Sequence, residues 1–299
     1  MAIARELGKE EFFAPGHRAC PGCGETIATR LVLKALGGKV IIISATGCLE
    51  IISSSYPQTA WRVPWCHVAF ENTAAVASGV EAALKAQVKK RKRKDEKINV
   101  VAVAGDGGTF DIGLQSLSGM MERGHDVLYI CFDNEAYMNT GIQRSSATPF
   151  GAWTTTTTPG KLSVGNYVWK KNMPAIAAAH NIPYIATASL AYPLDLARKV
   201  KKGAAVEGPA YIQILTPCIP GWRMDNDLTI EISRLATQTG YYPLYEIENG
   251  KFTLTISIPK RKPIVEFLKL QGRFRHLTEK EITKIQGFVD AQCKQLGIP

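Results

Sequence analysis

The sequence predicts an α/β fold, a doubly wound parallel sheet, and three observations predict it. Short apolar, β-branched runs alternate with stretches of helical spacing from residue 39 to residue 215, the order that builds βαβ units. The runs are apolar throughout, as strands covered on both faces are. Residues able to bind ligands follow directly on the runs: Cys48, Gly105 to Gly108, Asp133-Asn134 and Cys218. Right-handed crossovers bring all the carboxyl ends of such a sheet to one edge, so these residues are expected to share it.

Taken in order, residues 1–19 form an N-terminal arm ending Pro15-Gly-His-Arg-Ala19, followed by the tight knuckle Cys20-Pro-Gly-Cys23. Thr26 to Leu36 has helical spacing, with Ile27, Leu31 and Ala35 on one face and Gly37-Gly38 as its stop. Lys39 to Ser44 is a strand that runs into Ala45-Thr-Gly-Cys48. Residues 49–70, with Tyr56-Pro57, Trp61 and Trp65, read as irregular. Glu71 to Val88 is a helix rich in small residues. Val100 to Ala104 and Val127 to Phe132 are buried strands, with a helix over Asp111 to Arg123 between them. Gln143 to Gly160 is polar, with five threonines at 154–158, and reads as an ordered functional loop or a contact surface. Helices over 175–180 and 194–206 and strands over 182–187 and 210–215 complete roughly five strands.

The chain divides at residue 221. Residues 1–221 form the sheet domain. Residues 222–299 hold amphipathic segments at 264–270 and 279–293 and a hairpin around Glu248-Asn-Gly-Lys251. This extension shows no chemistry and is expected to pack on a partner subunit.

At 299 residues the chain can bury a large core in one or two domains. Its net charge is +10, part of it in the run Lys89-Lys-Arg-Lys-Arg-Lys94. No aromatic residue interleaves that run, so a solvated loop is expected rather than a nucleic-acid surface. No apolar run is long enough to span a membrane. The charged start (Arg5, Glu6, Lys9, Glu10, Glu11) lacks a signal-peptide core, so a cytoplasmic protein is expected. Seven cysteines then suggest metal binding rather than disulfides.

Gly105, Gly107 and Gly108 are expected to let the backbone turn tightly and approach a ligand. Asp106 puts a carboxylate among them, and the following helix N-terminus favours phosphate. With Asp133 and Asn134 as further oxygen ligands, the stretch suggests Mg²⁺ bridging a diphosphate; an ordinary strand–turn–helix with a capping aspartate is the plain alternative. Cys20, Cys23, Cys48 and Cys218 follow a C-x₂-C-x₂₄-C-x₁₆₉-C spacing. Their thiolates could hold zinc or an iron–sulfur cluster; a single knuckle with two strand-end cysteines favours [4Fe–4S]. Cys66, Cys131 and Cys293 are expected to be buried and inert.

Gly105-Asp-Gly107, 25 residues and then Asp133-Asn134 resemble the thiamine-diphosphate signature. Together with Cys20-Pro-Gly-Cys23, Ala45-Thr-Gly-Cys48, Phe70-Glu-Asn72 and Asn134-Glu-Ala-Tyr-Met-Asn-Thr-Gly141, they resemble the beta subunits of 2-oxoacid:ferredoxin oxidoreductases, pyruvate:ferredoxin oxidoreductase (pyruvate synthase) above all. The resemblance covers roughly residues 15–225 and implies a thiamine-diphosphate-binding sheet of the diphosphate-domain type. It implies that Asp106, Asn134 and the carbonyl of Ala136 hold Mg²⁺; some members have threonine at the position of Asn134, and either side chain supplies an oxygen. It implies that Cys20, Cys23, Cys48 and Cys218 hold one [4Fe–4S] cluster. Gly47, Gly105, Gly107, Gly108 and Gly141 would complete the cofactor site. Asn139, Thr140 and Glu25 would face its reactive carbon.

The implied reaction is reversible oxidative decarboxylation of pyruvate with coenzyme A to acetyl-CoA and CO₂, electrons leaving through the cluster to ferredoxin. An alpha subunit would supply the glutamate facing the aminopyrimidine and the substrate pocket; gamma and ferredoxin-like delta subunits would complete the complex, and this chain alone would be inactive. The same chemistry on 2-oxoisovalerate, 2-oxoglutarate, an aryl 2-oxoacid or oxalate is the alternative. A zinc-containing nucleic-acid-binding protein would explain the charge and the knuckle, but not the glycine–aspartate pattern. A nicotinamide enzyme would need a G-x-G-x-x-G that is absent.

Overall fold

The computed structural model describes residues 7–55 and 57–299; Arg5, Glu6 and Tyr56 lie outside them. β1 (Val40–Ala45), β3 (Asn99–Gly105) and β4 (Val127–Asp133) form the centre of a sheet. Among the described residues it has eight strands, ordered β2-β1-β3-β4-β6-β5-β7-β8. The six from β2 (Trp65–Val68) to β5 (Tyr184–Ser189), with β6 (Ala210–Leu215) inside that edge, are parallel. All seven residues of β4 are buried, which is why its sequence shows no polar alternation.

The two faces carry separate cores. Val101, Val103, Leu128 and Ile130 face α1 (Gly24–Leu36) and α6 (Pro193–Ala205). Val100, Ala102 and Tyr129 face α3 (Thr73–Lys89), α4 (Leu114–Glu122) and α5 (Met173–Ala178). Each fully buried aliphatic side chain contributes about 1.5–3 kcal/mol. α5 begins with Asn172 Oδ1 accepting from the Ala175 N–H at 3.1 Å and Pro174 in its first turn, a favoured start. The chain leaves β1 for β2 on one side and returns to β3 on the other, so a crevice opens at the carboxyl ends of β1 and β3.

Three expectations are corrected. Residues 49–70 are not irregular: α2 (Cys48–Ser53) and β2 lie there, and β2 is a sixth parallel strand. Its four residues, Trp-Cys-His-Val, follow Pro64 at the sheet edge, too short and mixed for a periodic signal. Cys66 is exposed on that strand, whereas Cys131 and Cys293 are buried as expected. The helix expected over 111–123 begins only at Leu114, preceded by a π-helical turn over Gly107–Ile112.

The hairpin forms as β7 (Tyr245–Glu248) and β8 (Lys251–Leu254), with Asn249 and Gly250 both at positive φ, the requirement of a two-residue turn that follows strand twist. β7 joins β5 antiparallel, so residues 222–299 extend the same sheet. The short α7 (Ile219–Trp222) and then α8 (Thr229–Gln238), α9 (Ile264–Leu268) and α10 (Glu279–Gln295) build a third core. Trp222, Phe267 and Phe274 meet Phe150 and Leu215 there. The basic run is exposed between α3 and the amino end of β3, on the edge away from the crevice. Among the described residues no helix is long and apolar enough to cross a membrane.

Candidate cofactor site

A cavity of about 140 Å³ lies at the carboxyl ends of β1 and β3. It is lined by Thr46, Gly47 and Cys48 after β1, by Gly105, Asp106 and Gly107 at the end of β3, and by Asn134, Ala136, Asn139 and Thr140 after β4; Glu25 also lines it. Asn139, Thr140 and Gly141 are exposed, and Asn139 and Thr140 stand at the mouth.

Asp106 is wholly buried. Its Oδ2 accepts from Ser145 Oγ at 2.5 Å and its Oδ1 from the Asn134 N–H at 3.3 Å. Burial, then the charge of Asp133, pushes its carboxyl well above the ordinary range. The Asn134 side-chain amide reaches Asp106 Oδ1 at 2.9 Å and the Ala136 carbonyl at 2.7 Å, both acceptors. The amide nitrogen turned to them donates to both; with the amide oxygen there instead, as a bound cation would require, three oxygens would converge. Adjacent ligands of an octahedral Mg²⁺ at 2.0–2.1 Å are about 2.9 Å apart, so Asp106, Asn134 and Ala136 fit such an ion.

The glycines act differently from expectation. Gly105, Gly107 and Gly108 all have ordinary negative φ. Gly107 is required because a Cβ there would lie 2.2 Å from the Tyr137 ring, and at Gly108 one would lie 3.2 Å from Phe70. Tyr137 in turn donates to Asp111 Oδ2 at 3.0 Å. The first N–H groups of the π-helical turn have no partner within it, and its first residue, Gly107, lines the cavity. Asp133 is committed through one oxygen, Oδ2, to Lys170 Nζ at 2.5 Å and Gln213 Nε2 at 2.6 Å, and its buried Oδ1 has no hydrogen-bond partner among the described residues.

The four cysteines come together from three elements. The knuckle docks through the Gly24 N–H to the Pro217 carbonyl at 3.2 Å. Cys218 precedes α7, and Cys48 opens α2. Burial pushes the Cys23, Cys48 and Cys218 thiols up, Cys218 to about 12. Glu25 and the neighbouring cysteines add to this for Cys48 and Cys218. Such thiols ionise when a metal centre displaces their protons. A tetrahedral zinc would hold its sulfurs about 3.8 Å apart. Among the described residues, no three His, Cys, Asp or Glu side chains are grouped closely enough to share one ion; the charges of Cys218, Cys23 and Cys20 nonetheless raise the Cys48 thiol, so the four lie near one another. Glu25 is buried, and burial raises its carboxyl to about 7.

Residues 45–214 match the thiamine pyrophosphate enzyme, C-terminal TPP binding domain. The chain is 59% identical over 297 residues to pyruvate synthase subunit PorB of Methanocaldococcus jannaschii, covering 99% of this chain and 100% of that one. This chain belongs to the beta-subunit family of 2-oxoacid:ferredoxin oxidoreductases. It is also 54% identical over 290 residues to ketoisovalerate oxidoreductase subunit VorB of Pyrococcus abyssi, covering 96% of this chain and 93% of that one. The fold matches that of 2-oxoglutarate:ferredoxin oxidoreductase from Magnetococcus marinus with a TM-score of 0.55 at 21% identity, covering 95% and 96% of the two chains. The beta-subunit fold thus binds thiamine diphosphate, and the zinc nucleic-acid reading has no support.

Of the candidate site residues, Glu25, Gly47, Cys48, Gly105, Asp106, Gly107, Asn134, Ala136, Asn139 and Thr140 line this cavity of the beta subunit, and Gly108 and Gly141 do not. Sequence reasoning missed Ser145, whose only signal was its place in a polar loop, and Tyr137 and Thr46 as cavity lining. Thr46 Oγ1 lies 2.7 Å from His67 Nε2. It also missed Tyr241, Trp222 and Arg273, which reach the site from the extension thought to carry no chemistry.

Proposed function

We propose that the chain is the beta subunit of a pyruvate:ferredoxin oxidoreductase that makes acetyl-CoA and CO₂ from pyruvate and coenzyme A, reversibly, with electrons passing to ferredoxin. The observation that carries this reading is a shared cavity: Cys48 and Asp106 both line it, so a cluster on Cys20, Cys23, Cys48 and Cys218 would adjoin the thiamine site. When bound, thiamine diphosphate supplies a carbon nucleophile and electron sink for 2-oxoacid decarboxylation, and a [4Fe–4S] cluster takes up electrons singly.

The residues divide the remaining tasks. Asp106, Asn134 and Ala136 would hold Mg²⁺ against the diphosphate, Ser145 orienting the Asp106 carboxylate. The π-helical turn from Gly107 presents amides to phosphate. Gly47 leaves open space, no atom lying within 4 Å of a Cβ there. Asn139, Thr140 and Gly141 border the mouth where substrate enters, and Glu25 offers a carboxyl able to exchange a proton near neutral pH.

An alpha subunit supplies the glutamate facing the aminopyrimidine and most of the substrate pocket; gamma and ferredoxin-like delta subunits carry electrons onward. Exposed Phe252, Val265 and Phe288 suit residues 222–299 to packing on a partner subunit. All seven cysteines are free, in keeping with the reducing cytoplasm.

The similarity to a ketoisovalerate oxidoreductase subunit at 54% identity favours a second reading, the same chemistry on 2-oxoisovalerate. Assay of the assembled complex against a panel of 2-oxoacids, with ferredoxin reduction as readout, separates them. Pyruvate turnover dominates under the first reading and branched-chain turnover under the second; no 2-oxoacid activity overturns both.

A further inference from the structure

Glu135 stands between two residues that converge on the cation position. Its φ is +70°, a conformation that glycine adopts freely and other residues rarely do. Its carboxyl is fully buried and takes three donors. Lys170 Nζ and Tyr241 Oη each donate to Oε1 at 2.8 Å, and Arg273 Nη2 donates to Oε2 at 2.6 Å. Burial pushes this carboxyl up, but Lys170 and Arg273 outweigh it and hold it below the ordinary range. Thr148 Oγ1 bonds the Glu135 carbonyl at 2.8 Å.

The clamp is itself supported. Arg273 is 2% exposed. It donates through Nε and Nη2 to Gln271 Oε1 at 2.9 and 2.8 Å and lies over the Trp222 ring at 3.9 Å. The Trp222 Nε1–H reaches the Asn134 carbonyl at 2.8 Å. An extended residue 135 would carry Ala136 onward along the strand. The left-handed residue turns it back, so that its carbonyl lies 2.7 Å from the Asn134 amide.

We propose that Glu135, Arg273, Tyr241 and Trp222 are positioning residues. They hold residue 135 in its left-handed turn, so that the Asn134 side chain and the Ala136 carbonyl face Asp106 together. The C-terminal extension thereby sets the affinity of the Mg²⁺–diphosphate site without supplying a ligand to it. This rests on the cofactor reading above.

The test uses the assembled complex, with Mg²⁺ and thiamine diphosphate titrated separately and Mn²⁺ in place of Mg²⁺ for electron paramagnetic resonance. Groups that support metal ligands typically carry about 10–100-fold in metal affinity. The Glu135→Gln/Arg273→Met pair is therefore expected to raise the Mg²⁺ and thiamine-diphosphate KM about tenfold or more, with kcat at saturation and iron content retained. Tyr241→Phe, which removes one donor and keeps the volume, is expected to raise both about threefold, and Arg273→Lys to fall between. The Mn²⁺ spectrum should change in each. A purely structural role would lower thermal stability with no KM change and an unaltered Mn²⁺ spectrum, and that result overturns the proposal. If the double variant does not assemble, wild-type affinities in both Tyr241→Phe and Arg273→Lys overturn it equally. A wild-type complex that binds no thiamine diphosphate would instead overturn the cofactor reading.

Discussion

The Gly24 N–H donates to the Pro217 carbonyl at 3.2 Å, which puts the residue after Cys23 against the residue before Cys218. A Cβ on Gly24 would lie 2.8–2.9 Å from backbone atoms of residues 216–217, atoms that cannot turn aside. Gly24→Ala is therefore expected to separate the knuckle from Cys218 although every thiol remains. Overpacking of this kind costs about 1–3 kcal/mol. Iron and sulfide content should fall well below stoichiometric; full occupancy would show that the bond does not position the cysteines.

The ring of Tyr137 makes Gly107 obligatory, since a Cβ there would meet it at 2.2 Å. Gly107→Ala is expected to destabilise the chain by about 1–3 kcal/mol and weaken thiamine-diphosphate binding. Tyr137→Leu removes the obstacle, so the double variant should recover part of the loss. A double-mutant cycle measures this, and strict additivity would contradict it.

Asp106 and Ser145 should rank in order. Asp106→Asn removes the charged ligand and Ser145→Ala only its orienting bond. Calorimetry should show Mg²⁺-dependent thiamine-diphosphate binding weakened about 100-fold by the first and about tenfold by the second. Because burial and Asp133 raise the Asp106 carboxyl, Mg²⁺ competes with a proton. Wild-type affinity should rise with pH through that raised value and lose this slope in Asp106→Asn.

Glu25 gives a pH dependence of fixed sign. Burial raises its pKa from 4.5 to about 7, so the folded chain keeps a proton that the unfolded chain gives up. Its contribution to stability is full below pH 4.5 and is lost as pH rises through 7, by roughly 3 kcal/mol in all. In chain stripped of its cofactors, Glu25→Gln should flatten that slope and leave the variant the more stable form at pH 8. Urea unfolding across the range checks it; parallel curves would refute it.

Cys66 and Cys218 separate exposure from ligation. Cys66 is exposed on β2, so it should be alkylated readily in the intact complex, and Cys66→Ser should leave the visible absorption unchanged. Cys218→Ser should abolish or alter the cluster signal. Mass spectrometry and anaerobic spectra decide both; an unaltered spectrum in Cys218→Ser removes it from the ligand set.

Much of this molecule is local information. The runs Val100–Ala104 and Val127–Phe132 are apolar because both faces are covered, and that pattern is legible without coordinates. So is the presence of Asp106, Asn134, Cys48 and Cys218 at strand ends, because the handedness of crossovers brings strand ends to one edge. β2 escaped because four residues after a proline at a sheet edge carry no period. The roles of Gly107 and Gly108 were misjudged because the need comes from Tyr137 and Phe70, not from backbone torsion.

By itself the sequence determined the parallel sheet, the edge at which its ligands gather and the family of the chain, since these depend on periodicity and on residues near in sequence. Only the tertiary structure decided that Asp133 Oδ2 pairs with Lys170, and that Arg273, 138 residues from Glu135, reaches back to hold the loop. Such contacts depend on where distant segments pack once the core closes, and no local pattern encodes which buried charge will meet which.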